Sequence, residues 1–318
     1  MKPFFLLQYM KIKLTILFSL CTIILFAKKE SYQNYPQIPL NCEFKLNRHL
    51  KESSGLIFFN NLIWSHNDDK NNHLYGFSTN KKKIKKKICV LNTATTDWED
   101  ISQDNNFIYI GNTGNNTHIQ RDTLTIYRIN KNLISKKKIS KVFCDSIQFY
   151  YPGFELNGKH RHNFDCEAIC TFNNQILIFT KEWNSLKTTC YSVPTDPGTY
   201  QANPIQSYSI NGLVTGADYD AQNNRIILVG YMPRNADMHG GFSIFCTVIK
   251  IENNQLTDIS KTYRFSPTDS PLNIIQMEGI CIENNRVYLS SERLRFRKIF
   301  NIVNTPHRLW SFDLNALE

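Results

Sequence analysis

The chain is missing the groups on which most hydrolytic sites are built. No Gly-x-Ser-x-Gly elbow occurs, and no cysteine has a histidine that the sequence places beside it, so serine or cysteine nucleophilic catalysis is unsupported. Gly111-Asn-Thr-Gly-Asn-Asn116 resembles a phosphate cradle but has neither the Lys-Ser/Thr ending nor a following helix, and reads as a loop. Among nine cysteines only Cys166 and Cys170 lie close together, with no second pair at zinc-site spacing, which argues against a cysteine-based metal centre. The apolar run Leu14–Ala27, about 14 residues, is too short to cross a bilayer as a helix. The segments described next also lack the i, i+3, i+4 apolar spacing of a helical solenoid.

What is present is a repeated phrase: a polar or acidic head, a small residue, strand formers, an Asn-Asn pair and an apolar β run. The copies are Glu52-Ser-Ser-Gly-Leu with Asn60-Asn61, Asp97-Trp-Glu-Asp-Ile with Asn105-Asn106, and Asp165-Cys-Glu-Ala-Ile with Asn173-Asn174. Thr215-Gly-Ala-Asp-Tyr with Asn223-Asn224 and Gln276-Met-Glu-Gly-Ile with Asn284-Asn285 follow. Aligned on Ser54, Glu99, Glu167, Ala217 and Glu278, the copies are spaced by 45, 68, 50 and 61 residues. One four-stranded propeller blade takes roughly 40 to 50 residues plus insertions, so the period predicts an all-β, five-bladed β-propeller. A six-bladed ring would require one repeat that the phrase does not reveal.

Residues 1–30 read separately. Lys11 and Lys13 precede the apolar run and Lys28-Lys29-Glu30 ends it, as in a secretory leader with Met10 as its start and cleavage near Ala27. This predicts export to the periplasm, cell surface or medium, with residues 31–318 as a single domain without a transmembrane segment. Cys21 permits a lipoprotein anchor, but Leu20 is too bulky for the usual signal. The other eight cysteines mostly stand singly in apolar strand patterns, where a free thiol acts as a small hydrophobe.

The net charge of +10 comes largely from Lys81–Lys87 and Lys136–Lys141, placed where outer strands are expected. Lysines there guard a sheet edge against pairing with other chains, and no nucleic-acid partner is inferred. An anionic surface partner is the rival explanation. A monomer is expected.

In each copy the head opens the innermost strand, Asn-Asn turns it, and the apolar run is the second strand. Third strands are predicted at His73–Phe77, Leu124–Ile129, Thr189–Val193, Phe242–Val248 and Arg308–Phe312, and fourth strands near 84–91, 142–151, 204–210 and 258–265. The last blade has no fourth strand after it, whereas Cys42–Leu50 precedes the first head. The N-terminal strand is therefore predicted to join the last blade and close the ring.

Hairpin geometry places the head of the first strand and the end of the second at one mouth. That funnel gathers Glu99, Asp100, Glu167, Asp218 and Glu278 as candidate metal ligands. Its rim is predicted from Asn67, Asp68, Asn112, Glu182, Tyr231, Arg234, Glu292, His160 and His162. Converging carboxylates repel, so a hard cation with oxygen ligands, calcium above all, is the expected compensation. Head acids such as Asp97 and Asp165 could instead accept backbone hydrogen bonds between blades. Lys181, Arg293 and His66 are the candidate catalytic groups, and the basic residues suggest a small anionic molecule or an envelope component as partner.

The heads Trp98-Glu99-Asp100, Cys166-Glu167-Ala168 and Glu278-Gly279-Ile280 carry a resemblance, together with Trp64–Asp68, Gly111–Asn115 and Val214–Asp218. They resemble the SdiA-regulated and phytase-like esterase group of exported bacterial propellers. The resemblance implies a propeller with calcium near its channel; Ala217, standing where other heads have Glu, departs from it. Two functions follow as expectations: a calcium-binding scaffold or binding module of the cell envelope, or a metal-assisted hydrolase of a phosphoester, ester or lactone.

Overall fold

Short runs of β-branched and aromatic residues between asparagine turns leave this chain little but strand to form. The computed structural model describes residues 35–68, 71–94, 97–116, 120–155, 162–233, 242–267, 275–298 and 301–318, and Gln37–Glu318 make one compact unit. The leader read over residues 1–30, Arg234 and His160 lie outside the described residues. Among the described residues no helix is long and apolar enough to cross a membrane.

After β1 (Gln37–Lys45), an antiparallel meander runs through β2 (Ser53–Phe59), β3 (Leu62–Asn67), β4 (His73–Ser78) and β5 (Lys83–Leu91). The second sheet comprises β6 (Ile101–Gln103), β7 (Phe107–Asn112) and β8 (Leu124–Asn130). The chain then passes through α1 (Lys131–Ser135) and β9 (Lys141–Phe143) before β10 (Asp145–Tyr150) completes that sheet. The third comprises β11 (Asp165–Phe172), β12 (Gln175–Lys181) and β13 (Thr188–Pro194), completed beyond β14 (Gly198–Gln201) by β15 (Asn203–Tyr208). A fourth runs through β16 (Leu213–Asp220), β17 (Arg225–Pro233), β18 (Phe242–Glu252) and β19 (Gln255–Pro267). The fifth has β20 (Met277–Glu283) and β21 (Arg286–Ser291), then the separate hairpin β22 (Leu294–Lys298) and β23 (Asn301–Thr305), and finally β24 (Arg308–Asp313).

β1 serves two sheets. Gln37–Leu40 run parallel to β19, and Asn41–Lys45 run antiparallel to β24. The fourth and fifth meanders thereby become one eight-stranded sheet whose terminal strands, β16 and β20, lie side by side, so that it nearly closes on itself.

The turns follow from asparagine's tolerance of left-handed backbone. Asn60-Asn61 and Asn173-Asn174 take φ of 52°, 59°, 48° and 57°. Asn253-Asn254, at 50° and 61°, turn β18 into β19, a further pair that the repeated phrase does not include. Asn105-Asn106 use another device, for the Asp104 carboxylate accepts the N–H groups of Asn106 and Phe107, each at 2.7 Å.

One predicted strand, 142–151, is broken in the structure at Cys144. The Asn92 side chain accepts from the Cys144 N–H (3.3 Å) and donates to its carbonyl (3.0 Å), so the chain is held off the ladder there. The piece before the break, β9, pairs parallel with β5 of the preceding sheet. β14 does the same on β10, as β1 does on β19. Three outer edges are thus partly covered by the neighbouring sheet's own chain, which limits edge-to-edge pairing. Lys83–Lys87 lie on the exposed part of β5, but Lys136–Lys138 occupy the turn after α1 rather than an outer strand. The eight described cysteines are all free thiols.

Five apolar clusters fill the spaces between successive sheets. Trp64 and Tyr127 belong to the cluster shared by the first and second, Phe149 and Ile178 to that of the second and third, and Phe179 and Leu228 to that of the third and fourth. Ile227 and Trp310 belong to that of the fourth and fifth, and Tyr288 and Phe77 to that of the fifth and first. The first strands β2, β6, β11, β16 and β20 adjoin one another in that order, and β20 adjoins β2.

Glycine sets how close these strands come. A Cβ on Gly55 would lie 2.6 Å from the Ile101 nitrogen, and one on Gly279 would lie 2.8 Å from the Gly55 carbonyl carbon. Backbone atoms cannot yield as a side chain can. Gly55→Ala is therefore expected to cost about 1–3 kcal/mol through overpacking, measured by urea unfolding against a Phe143→Ala control at an exposed site. A neutral Gly55→Ala would show that the strands are not in contact there.

Candidate functional site

Each head sits where its hairpin slips register. Glu167 falls between the pairs Cys166↔Thr180 and Ala168↔Phe179, and Glu278 with Gly279 between Met277↔Ser291 and Ile280↔Leu289. Ser54-Gly55 occupy the same kind of break in β2. In the second sheet the Glu99 N–H donates to the Gly111 carbonyl while the Gly111 N–H donates to the Asp100 carbonyl, both at 2.8 Å. Such bulges re-aim a side chain out of the normal alternation.

In the fourth sheet the slipped residue is Thr215, between Val214↔Gly230 and Gly216↔Val229. The turn from Asp220 to Arg225 is two residues longer than that from Phe172 to Gln175, so aligning heads by sequence displaces this one by two positions. Thr215, not Ala217 or Asp218, occupies the place that the other heads give to glutamate. Its hydroxyl donates to the Met277 carbonyl at 2.7 Å.

The ends of the second strands stand beside these bulges. Lys181 pairs with Asp165 and Tyr231 with Leu213, and the N–H groups of Asp68 and Glu292 donate to the carbonyls of Glu52 (3.1 Å) and Gln276 (3.3 Å). Lys181 is the centre of the arrangement. Its buried ammonium donates to the Glu167 carboxylate and lies 5.0 Å from the ring centre of Trp183 and 5.3 Å from that of Tyr231. Burial disfavours its charge, but Glu167, Tyr231, Glu278 and Asp165 together hold its pKa well above the ordinary lysine value.

The acids around it are pushed the other way. Glu99 is raised well above the usual carboxylate range by burial first, then by Glu167, Asp97 and Asp165. It still keeps some solvent-accessible surface. Glu278 is raised by burial and then by Glu292, and Glu292 is pushed up to about 7, burial again leading. One oxygen of Glu278, Oε1, is buried with no hydrogen-bond partner. Asp97 is raised by burial and by Asp165, while Arg121 draws it back. The backbone at Gly114 lies against this group, since a Cβ there would come within 2.2 Å of Asp97 Oδ2 and 2.3 Å of Glu99 Oε1.

Other predicted ligands and rim residues have different duties. Asp100 accepts from the N–H groups of Ile101 and Ile169, each at 2.8 Å, tying β6 to β11. Asp218 accepts from Tyr219 (2.9 Å) and Ile282 (2.8 Å), tying β16 to β20. Burial raises both carboxyls, Asp218 to about 7, against the pull of those donors. Asp165 takes the expected role of a backbone clip, accepting from the Asn115 N–H of the second sheet (2.7 Å) as well as from the Trp183 indole (3.0 Å), and Asp100 and Asp218 are clips of the same kind.

Glu182 accepts from the hydroxyls of Thr180 (3.1 Å), Thr189 (2.6 Å) and Ser185. Asn67 and Asn112 accept from the N–H groups of Glu52 (3.3 Å) and Asp97 (3.0 Å), fixing the heads rather than facing a ligand. His66 is fully buried with its ring edge-on to Trp98, and burial lowers its pKa to about 4. The His162 ring packs on Phe154, and its Nδ1 accepts from the Phe164 N–H at 3.0 Å.

The cluster assembled is therefore Glu99, Glu167, Glu278 and Glu292 around Lys181, with Asp97, Arg121 and Tyr231 beside it. Among the described residues no group of three or more His, Cys, Asp or Glu side chains is arranged to hold a metal ion. No known protein family matches the chain, and no curated protein matches it. Trp183 and Arg121 went unpredicted because neither falls on a repeated position.

Two outcomes follow from the electrostatics. Lys181→Met leaves Glu167 buried without its partner and is expected to cost about 3–5 kcal/mol at pH 7, much of it recovered in Lys181→Met/Glu167→Gln. Urea midpoints of both variants measure this, and an equal loss in the double variant would refute the pairing. Glu292, raised from 4.5 to about 7, binds a proton more tightly folded than unfolded, so its contribution to stability is whole below 4.5 and lost as pH rises toward 7. Glu292→Gln should flatten the fall in stability between those values, and an unchanged pH profile would exclude it.

Proposed function

We propose that residues 37–318 form a five-bladed β-propeller acting as an exported binding module of the cell envelope, whose axial funnel takes a cationic or hydrogen-bond-donating ligand. Five meanders, five inter-sheet apolar clusters, the cyclic order of the first strands and the pairing of β1 with β24 support the ring. The leader sequence supports export. The heads on which the family resemblance rests are the bulged openings of the innermost strands.

One observation carries the binding site. The Lys181 ammonium and the Arg121 guanidinium sit beside more carboxyls, Asp97, Glu99, Glu167, Glu278 and Glu292, than the two can neutralise, and Glu278 Oε1 has no partner although it is buried. At neutral pH protons held on the raised carboxyls supply the remaining compensation, and a ligand ammonium or a calcium ion would do so by displacing them. Asp100 and Asp218 are committed to backbone bonds and no three acids are arranged around a metal among the described residues, so a calcium ion would fall to the adjoining pair Glu278 and Glu292, with water completing its shell. Lys181, Arg293 and His66 stand in three separate surroundings, which gives the alternative of a metal-assisted hydrolase no common centre.

Thermal unfolding with calcium chloride and, separately, spermidine tests this. A ligand at a hundred times its Kd adds about 2.7 kcal/mol of stability. Stabilisation by either cation, rising from pH 5 to pH 8 and abolished in Glu278→Gln, is expected. The funnel reading fails if neither cation stabilises the protein, or if Glu278→Gln responds as the parent does.

A further inference from the structure

The funnel leaves a second cavity unexplained. A cleft of about 530 Å³ is lined by Lys45, Arg48, Lys51, Arg293, Pro306 and His307, without a carboxylate among them. It forms where β1 joins the last sheet. Lys45 ends β1, paired with Arg308 of β24; Arg48 and Lys51 lie on the connection to β2; Pro306 and His307 lead into β24. Arg293, just past β21, is fixed to this connection by its N–H, which donates to the Lys51 carbonyl at 2.8 Å.

Lys45, Arg48 and Lys51 have not been gathered by acids. All three are exposed, and none forms an ion pair among the described residues. His307 lies beneath them and is buried. Its Nε2 is 3.1 Å from the Asn47 carbonyl, an acceptor only, so that nitrogen bears the proton. Its Nδ1 is buried with no partner. After burial itself, the nearby charges of Lys45 and Arg293 discourage protonation of the ring, and an anion between them would reverse that effect.

We propose that this cleft is an anion site for a phosphorylated ligand of diphosphate size, with the guanidinium fork of Arg48 and the ammonium groups of Lys45 and Lys51 on its oxygens and the positive charge of Arg293 at its wall. A protonated His307 Nδ1 would add one further donor. Converging guanidinium and ammonium groups favour a multiply charged tetrahedral anion, and the volume exceeds what one phosphate fills. The same chemistry comes either from a soluble phosphorylated compound or from the phosphorylated headgroup of an envelope lipid.

Calorimetric titration of the whole protein with inorganic pyrophosphate is the test, in the parent, in Arg48→Ala and Lys51→Ala, and in Lys83→Ala/Lys85→Ala on β5 as the control. The altered residues are exposed, so thermal midpoints should not move. Binding is expected in the parent and the control, and roughly ten-fold weaker in each cleft variant, as the loss of one charged hydrogen bond implies. Vesicles containing phosphatidylglycerol, added with and without pyrophosphate, separate the sources: capture that pyrophosphate displaces points to a headgroup, and pyrophosphate binding without capture to a soluble compound. Absence of pyrophosphate binding, or binding that the β5 control loses and the cleft variants keep, would overturn the proposal.

Discussion

The buried contact between Lys181 and Glu167 is the constraint around which the inner strands are arranged. An ammonium removed from water is tolerated only where opposite charge and polarisable faces replace its hydration, and Glu167, Trp183 and Tyr231 supply these from three elements. Ion pairs of this kind add little net stability compared with an apolar filling, so persistence of one at the centre of a fold is weak evidence for a purely structural role. The surrounding acids sharpen the point. A core selected for stability alone would not add Glu99, Glu278 and Glu292 to a site where burial raises the proton affinity of all three, with Glu167 raising Glu99 and Glu292 raising Glu278 further.

Much of this was legible because a repeat reports its own geometry. Asn-Asn pairs marked the turns, the apolar runs marked the second strands, and hairpin geometry put Lys181 and Tyr231 at the mouth where the heads open, where the structure pairs them with Asp165 and Leu213. The alignment of heads failed where turn length varied. Two extra residues between β16 and β17 moved Thr215 into the glutamate position and Ala217 out of it. Which acids serve as clips was legible for Asp165 but not for Asp100 and Asp218, because acceptor and ligand carboxylates look alike in sequence. Only the N–H groups of Ile169 and Ile282, contributed by strands about 65 residues distant, tell Asp100 and Asp218 from Glu99 and Glu278.

The outer edges follow a rule that the repeat did not disclose. β9, β14 and the first half of β1 each pair parallel with the outer strand of the preceding sheet before the chain goes on to complete its own. Parallel pairing between segments so far apart in sequence gives each seam hydrogen bonds across sheets as well as apolar packing. It also explains why one predicted strand had to break at Cys144, since an unbroken strand could not serve two sheets.

Charge is segregated along the same lines. The acids gather where first strands meet, at bulges that turn their side chains toward one another, whereas Lys45, Arg48 and Lys51 lie on the connection by which the chain leaves β1 for β2. The two regions adjoin, because Glu52 follows Lys51 in the chain and Arg293 follows Glu292. Screening in salt water weakens fields between exposed charges beyond about 8–10 Å but acts little on buried ones. The acid cluster thus keeps its strength at physiological ionic strength while the exposed lysines and arginines lose reach.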